Sequence, residues 1–221
     1  MGKSINLLID GNKVIAREGT TILEAAKEAG ITIPTLCYNK ELIPTGVCRI
    51  CSVEIERNGV SRVIVSCGYP VEDGLEVKTR SPKIEKIRRT LIEILAPRVA
   101  IEGTVSGRIR KLAEEYGANL SRFISKSIAQ PTRCVLCGLC VRYCSEVVGV
   151  NAIGVVGRGK DRQVVVFPEV SKNCLSCKRC FHVCPTGKIA SEADENIFPG
   201  SSISDYLSSH GVKIHDLSSI P

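Results

Sequence analysis

Long apolar runs are missing from this chain. No stretch approaches the roughly 18–20 apolar residues that a membrane span needs. The longest weakly polar one, Val147 to Gly157, is broken by Asn151 and three glycines. Met1 to Asn6 has no apolar run of signal-peptide length, and Asn6 stands where a myristoylation signal carries Ser or Thr. A cytoplasmic location is therefore the expectation. Tryptophan is absent, and there are one Met, nine Phe plus Tyr and three His. With His182, His210 and His215 confined to a cysteine-rich loop and the tail, no Ser-His-Asp set can be built. Gly154, Gly157 and Gly159 are not framed by a strand and helix, so they make no dinucleotide fingerprint.

What the 221 residues do contain is 12 Cys. The length fits one or two domains. The cysteine density is below that of a short disulfide-built scaffold. In the cytoplasm such cysteines mean metal or catalysis more often than disulfides. Net charge is +7, unevenly spread: −2 over residues 1–77, +8 over 78–133 and +1 over 134–221. The basic block holds no cysteine. It fits a solvated helix face, an acidic partner or nucleic acid.

Ile5 to Ile9 and Lys13 to Ala16 flank the turn Asp10-Gly11-Asn12, and Arg57-Asn58-Gly59 joins the β-branched runs Cys51 to Glu56 and Val60 to Val65. Thr21 to Glu24 reads as a capping box, and Gly30 ends the helix it opens. Leu75 to Lys78 closes a β-β-α-β-β set. Ser81-Pro82 opens a helix with Ile84, Ile87, Leu91, Ile94 and Leu95 as its apolar stripe, closed by Pro97. A second helix is expected from about 105 to 116, and both helices should turn Lys and Arg away from the apolar side. A polar tail follows residue 190, with a short helix expected around 203–209.

The run Cys134, Cys137, Cys140, Cys144 returns 40 positions later as Cys174, Cys177, Cys180, Cys184. Three thiolates at this interval wrap one corner of a cubane. In bacterial two-cluster ferredoxins the fourth Cys of each run serves the other cluster. On that pattern Cys134, Cys137, Cys140 and Cys184 hold one [4Fe–4S] cluster, and Cys174, Cys177, Cys180 and Cys144 hold a second. Pro185 follows the second run as expected, whereas Ser145 replaces Pro after the first. Zinc sites use two separated pairs and have no tetrahedral use for the third Cys. Cys37, Cys48, Cys51 and Cys67 suit a [2Fe–2S] rhomb with two thiolates per iron, although their spacing departs from the plant type and leaves zinc open. Arg49 and Arg142 lie within cluster loops, where each either raises a potential or faces solvent.

The segment Leu36-Cys37-Tyr38, continuing through Pro44-Thr45-Gly46-Val47-Cys48-Arg49-Ile50-Cys51 to Glu54, resembles the [2Fe–2S] segment of the large iron–sulfur subunit of bacterial NADH dehydrogenase. It is similar also to segments of iron-only hydrogenases, NAD-linked formate dehydrogenases and the diaphorase subunits of NAD-reducing hydrogenases. The helix Ile87 to Leu95, the block Arg133 to Gly157 and the run ending Cys184-Pro185-Thr186-Gly187 extend the resemblance over about residues 4–190. Those relatives commonly carry a further cluster on one histidine and three cysteines. This chain has Ala96-Pro97-Arg98 there and no His or Cys between Cys67 and Cys134, so that cluster is expected to be missing. A catalytic hydrogenase or molybdopterin domain is not expected either.

The expected fold class is α+β. It comprises a β-grasp-like [2Fe–2S] domain (1–80), a basic helical connector (81–130), a 2×[4Fe–4S] ferredoxin domain (131–190) and a polar tail (191–221) that docks on a partner. The expected function is electron relay with no catalytic site on this chain. The resemblance implies as partners a flavin- and NAD(P)-binding subunit and, at the other end, a hydrogenase, formate dehydrogenase or similar catalytic subunit, or ferredoxin. The rivals are a diffusing three-cluster ferredoxin and a zinc-dependent interaction or nucleic-acid module. Three oxidised clusters contribute about −6, which brings the +7 chain to about +1 and weakens the nucleic-acid reading.

Overall fold

The computed structural model describes residues 3–99, 107–124, 132–167 and 177–189. Strands β1 (Ser4–Ile9) and β2 (Asn12–Arg17) pair antiparallel, with Ile9 opposite Asn12. Their two-residue turn, Asp10-Gly11, has positive φ at both positions (51° and 79°), the twist that suits a tight hairpin. The same geometry recurs at Asn58-Gly59 (51° and 75°), joining β3 (Ser52–Arg57) to β4 (Val60–Val65). Strand β5 (Glu76–Lys78) lies in the middle, parallel to β1 and antiparallel to β3, giving the order β2-β1-β5-β3-β4. Alternation puts Ile5, Leu7 and Ile9 on the inner face against α1 (Ile22–Glu28), whose Ile22, Leu23, Ala25 and Ala26 are buried.

Helix α1 starts as its sequence predicts. Thr21 Oγ1 accepts from Glu24 N at 3.3 Å, and Glu24 Oε2 accepts from Thr21 N at 3.2 Å. Burial alone would raise the Glu24 pKa. Bonds donated by the Thr21 backbone, its hydroxyl and the Tyr38 phenol more than offset this and hold it below the usual carboxylate range. Because Tyr38 follows Cys37 in the chain, the cap also fixes one end of the first cysteine loop.

Helix α2 (Pro82–Val99) departs from expectation in two ways. It runs through Pro97 to Val99, because a proline near a C-terminus forfeits only one hydrogen bond. The last turn is held from outside: Arg98 O accepts from Thr132 N at 2.8 Å, and Arg98 donates to the carbonyls of Cys134 and Arg162 at 3.4 and 2.8 Å. Second, the buried row is Ile84, Arg88, Ile92 and Ala96, spaced by four, while Ile94 is 53% exposed. The expectation that every Lys and Arg faces away from the core thus fails at Arg88. Helix α3 (Gly107–Tyr116) packs Ile109, Leu112, Ala113 and Tyr116 against Ile92 and Val99. Leu36 and Ile50 of the cysteine loops join this second core. Many charges of the basic block 78–133 are bonded within the chain: Lys78, Arg80, Lys83 and Arg122 pair with acids, and Arg108 donates to Thr35 O at 2.8 Å.

Beyond residue 132, α4 (Leu139–Arg142) passes into a wider π-type turn (Tyr143–Val148). A hairpin of β6 (Ile153–Val156) and β7 (Gln163–Val166) follows. Ala152, Ile153, Val164, Val166 and Ile189 form a core with Cys134, Cys140 and Cys144. The mixed sheet, the helices and this second unit make the fold α+β, as expected. The helix expected at 203–209 lies outside the described residues. Among the described residues no helix is long and apolar enough to cross a membrane.

Thr21→Ala should lower stability by about 1 kcal/mol, read as a shift of the thermal midpoint. Gly46 has φ +63°, and an added Cβ would lie 3.1 Å from Val65 Cγ2. Gly46→Ala should therefore cost about 1–2 kcal/mol in the same assay.

Candidate metal centres

Three chain segments bring the first four thiols together. Cys37 follows α1, Cys48 and Cys51 precede β3, and Cys67 follows β4. The pairing of Ser52 with Val65 sets Cys51 beside Cys67, and Ser66 locks the junction with its N–H (3.2 Å) and hydroxyl (2.8 Å) on Cys51 O. Left-handed backbone at Gly46 and Arg49 winds the loop between. Cys37, Cys51 and Cys67 are buried and Cys48 is half-buried.

The thiols interact in two pairs, Cys37 with Cys48 and Cys51 with Cys67. In each, the interaction with the partner thiol pulls one member below the usual thiol range, Cys48 in the first and Cys51 in the second. The partner thiols Cys37 and Cys67 are pushed up by the same interaction and by burial. Backbone N–H groups of Ile50, Leu36 and Cys37 converge on the Cys48 sulfur, and Cys48 N lies 3.5 Å from Cys37 Sγ. Two pairs of sulfurs surrounded by N–H donors fit a two-iron rhomb with two thiolates per metal. No nitrogen or oxygen ligand is needed.

The first run and the last cysteine of the second line one cleft, containing Cys134, Cys137, Cys140 and Cys184. Leu136 N donates to Cys134 Sγ at 3.3 Å. Burial pushes up Cys134 and Cys140, and it raises Cys137 to about 12. Thiols in so dry a cleft hold their protons until metal replaces them, which suits a cluster that brings its own positive charge. Cys144, Cys177 and Cys180 line a neighbouring cleft with Val148, Val150, Ala152 and Ile153. Ala152 N donates to Cys144 Sγ at 3.2 Å. Cys174, the remaining candidate, lies outside the described residues. Both clefts offer thiols in apolar walls, as a cubane requires.

The internal repeat is visible in the backbone. Gly138 and Lys178, 40 residues apart, both adopt the left-handed conformation (76° and 48°) just after the second cysteine of their runs. One helical stretch carries both Cys140 and Cys144 and so serves both clefts. The sites also adjoin in series: Cys137 lies within electrostatic reach of Cys48, and Cys140 within reach of Cys180. Arg142 spans the first junction, donating to Ile43 O at 2.7 Å while paired with Glu146. Tyr143 donates to Glu41 at 3.2 Å, and Leu42 packs among Leu139, Tyr143 and Val183.

Arg49 is exposed, and His182 stacks edge-on against Tyr143 at 5.3 Å. His210 and His215 lie outside the described residues. Sequence reasoning missed Arg88 and Arg98, which reach from α2 to the loops of Cys51 and Cys134. For Arg88 a signal existed, since it falls in the i, i+4 row with Ile84 and Ile92.

The 2Fe-2S iron-sulfur cluster binding domain family matches residues 2–82, and the 4Fe-4S dicluster domain family matches 133–188. The NADPH-Fe(3+) oxidoreductase subunit alpha of Geobacter sulfurreducens is 38% identical over 205 residues, covering 85% of this chain and 24% of that protein. The NADH-ubiquinone oxidoreductase 75 kDa subunit of Reclinomonas americana is 30% identical over 207 residues, covering 85% of this chain and 29% of that protein. A chain of an NAD+-reducing [NiFe]-hydrogenase, solved in the H2-reduced state, matches with TM-score 0.61 and 32% identity over 74% of this chain and 75% of that one. The chain thus spans 24% to 29% of the length of these two curated relatives. With the cysteine geometry and both family matches in agreement, the chain belongs to the family of iron–sulfur electron-transfer subunits related to those of NADH dehydrogenases and NAD+-reducing hydrogenases.

Proposed function

We propose that this chain is the electron relay of a multi-subunit NAD(P)-linked flavin and iron–sulfur oxidoreductase, itself carrying no catalytic site. The observation that carries this is the close succession of its thiol sites: Cys137 is within electrostatic reach of Cys48, and Cys140 and Cys144, which line the two later clefts, share one core. Cys37, Cys48, Cys51 and Cys67 hold one [2Fe–2S] cluster. Cys134, Cys137, Cys140 and Cys184 hold one [4Fe–4S] cluster, and Cys174, Cys177, Cys180 and Cys144 a second. When bound, these clusters supply one-electron redox chemistry, and no bond is made to a substrate. The chain's residues exclude water, fix the sulfurs and present N–H groups to them, as Leu136 and Ala152 do.

The boundaries we assign are 1–80 for the [2Fe–2S] domain, 81–130 for the connector, 131–190 for the dicluster domain and 191–221 for a docking tail. A flavin- and NAD(P)-binding subunit docks near the [2Fe–2S] end. The far end meets a catalytic oxidoreductase subunit, a hydrogenase, formate dehydrogenase or similar, or a ferredoxin, in the cytoplasm. A free-standing three-cluster shuttle is the competing reading. It predicts a chain that purifies natively without partners.

Anaerobically purified chain should hold about 10 Fe, the sum of one [2Fe–2S] and two [4Fe–4S] clusters. A colourless zinc protein, or far less iron, overturns the relay. Cys184→Ala should remove the cluster of the first run, Cys134 to Cys140, and leave that of its own run. Loss of about four Fe, with the [2Fe–2S] electron paramagnetic resonance signal unchanged, is the expected result. Cys37→Ala should do the converse, abolishing that signal and about two Fe.

A further inference from the structure

Arg88 is 1% exposed, the largest of the fully buried side chains among the described residues. Its guanidinium donates to Ile50 O at 3.0 Å, Ser52 O at 2.8 Å and the Tyr116 hydroxyl at 3.0 Å. All three acceptors are neutral dipoles. Among the described residues no carboxylate lies within ion-pair distance of it; Glu85, which senses it, pairs with Arg80. Arg80 lies over the Tyr116 ring at 5.3 Å and Arg89 donates to Tyr116 O, while Glu115, the acid that meets the Tyr116 hydroxyl, is engaged by Arg80 at 3.6 Å. A guanidinium keeps its charge at every working pH, so a buried one needs a compensating anion.

The two carbonyls that Arg88 grips bracket Cys51. The same loop turns its Ile50 N–H toward the Cys48 sulfur. The unpaired positive charge is thereby fixed behind the [2Fe–2S] loop. We propose that Arg88 is a positioning residue whose buried charge serves as the counter-ion of the [2Fe–2S] cluster and holds its reduction potential up. The inference rests on the cluster reading given above. Four thiolates leave an oxidised [2Fe–2S] cluster at about −2, and uptake of one electron, without a proton, takes it to about −3. A fixed cation stabilises the more negative form more strongly, and burial keeps salt from screening it.

The test is an electron paramagnetic resonance redox titration of the [2Fe–2S] signal in the full, anaerobically loaded chain. At the ambient potential where the unaltered protein is half reduced, Arg88→Gln should lower the reduced-to-oxidised ratio about tenfold or more, equivalent to 59 mV for one electron. Arg88→Lys keeps the charge but cannot span the three acceptors, and its ratio should stay within about threefold. Lys86→Gln, altering an exposed charge on the same helix, should leave the ratio unchanged. An unchanged ratio in Arg88→Gln, or equal shifts in Gln and Lys variants, overturns the proposal and leaves Arg88 a clamp on the loop. If Arg88→Gln fails to load, Arg88→Lys decides: a loaded cluster within threefold supports the counter-ion, and an empty site overturns it. Absence of the signal from the unaltered protein overturns the cluster reading itself.

Discussion

Burying many sulfurs close together is the constraint on which the rest of the structure depends. Thiolates are costly out of water and costlier still beside one another. The described cysteines answer in two ways. At the first site backbone N–H groups surround the Cys48 sulfur, and Arg88 grips the carbonyls on either side of Cys51. In the later clefts the walls are apolar, and Cys137 and Cys140 keep their protons until metal takes their place.

Helix α2 links these environments. Arg88 reaches the carbonyls on either side of Cys51, and Arg98 reaches the carbonyl of Cys134. Ten residues of helix separate the two, about 15 Å along its axis. The helix that the sequence presents as a basic connector is thus a strut bonded to both cysteine loops. At its C-terminal end Ala96 and Val99 are buried, and Arg98 bonds to Arg162 O. Much of the +8 of this segment is committed to such internal bonds.

What was legible in the sequence was what is local. Asp10-Gly11 and Asn58-Gly59 specify their hairpins because left-handed backbone is available to few residues, and Thr21 with Glu24 specifies the start of α1. Cys184 lines one cleft with Cys134, Cys137 and Cys140. Non-local partners were not legible. The buried face of α2 is hidden because a buried arginine looks polar in any apolar-periodicity argument, and its acceptors lie 28 to 38 residues away. The hairpin β6–β7 has little signal because its strands are only four residues long, with Gly154 inside one. Arg142 is recognisable as lying in a cluster loop, but its bond to Ile43, 99 residues distant, has no sequence signal.

Cys140 and Cys144 stand one turn apart on a single continuous helical stretch, about 6 Å along the axis. The separation of the two later clefts is therefore built into backbone geometry, and side-chain rearrangement cannot alter it. The gap between Cys48 and Cys137 has no shared backbone. It is closed by Leu42 seated against Leu139 and Tyr143 and by the Arg142 bond to Ile43. Because tunnelling falls off exponentially with distance, these two junctions differ in kind. One junction is fixed by shared helical backbone, and the other rests on side-chain packing and the Arg142 bond between separate segments.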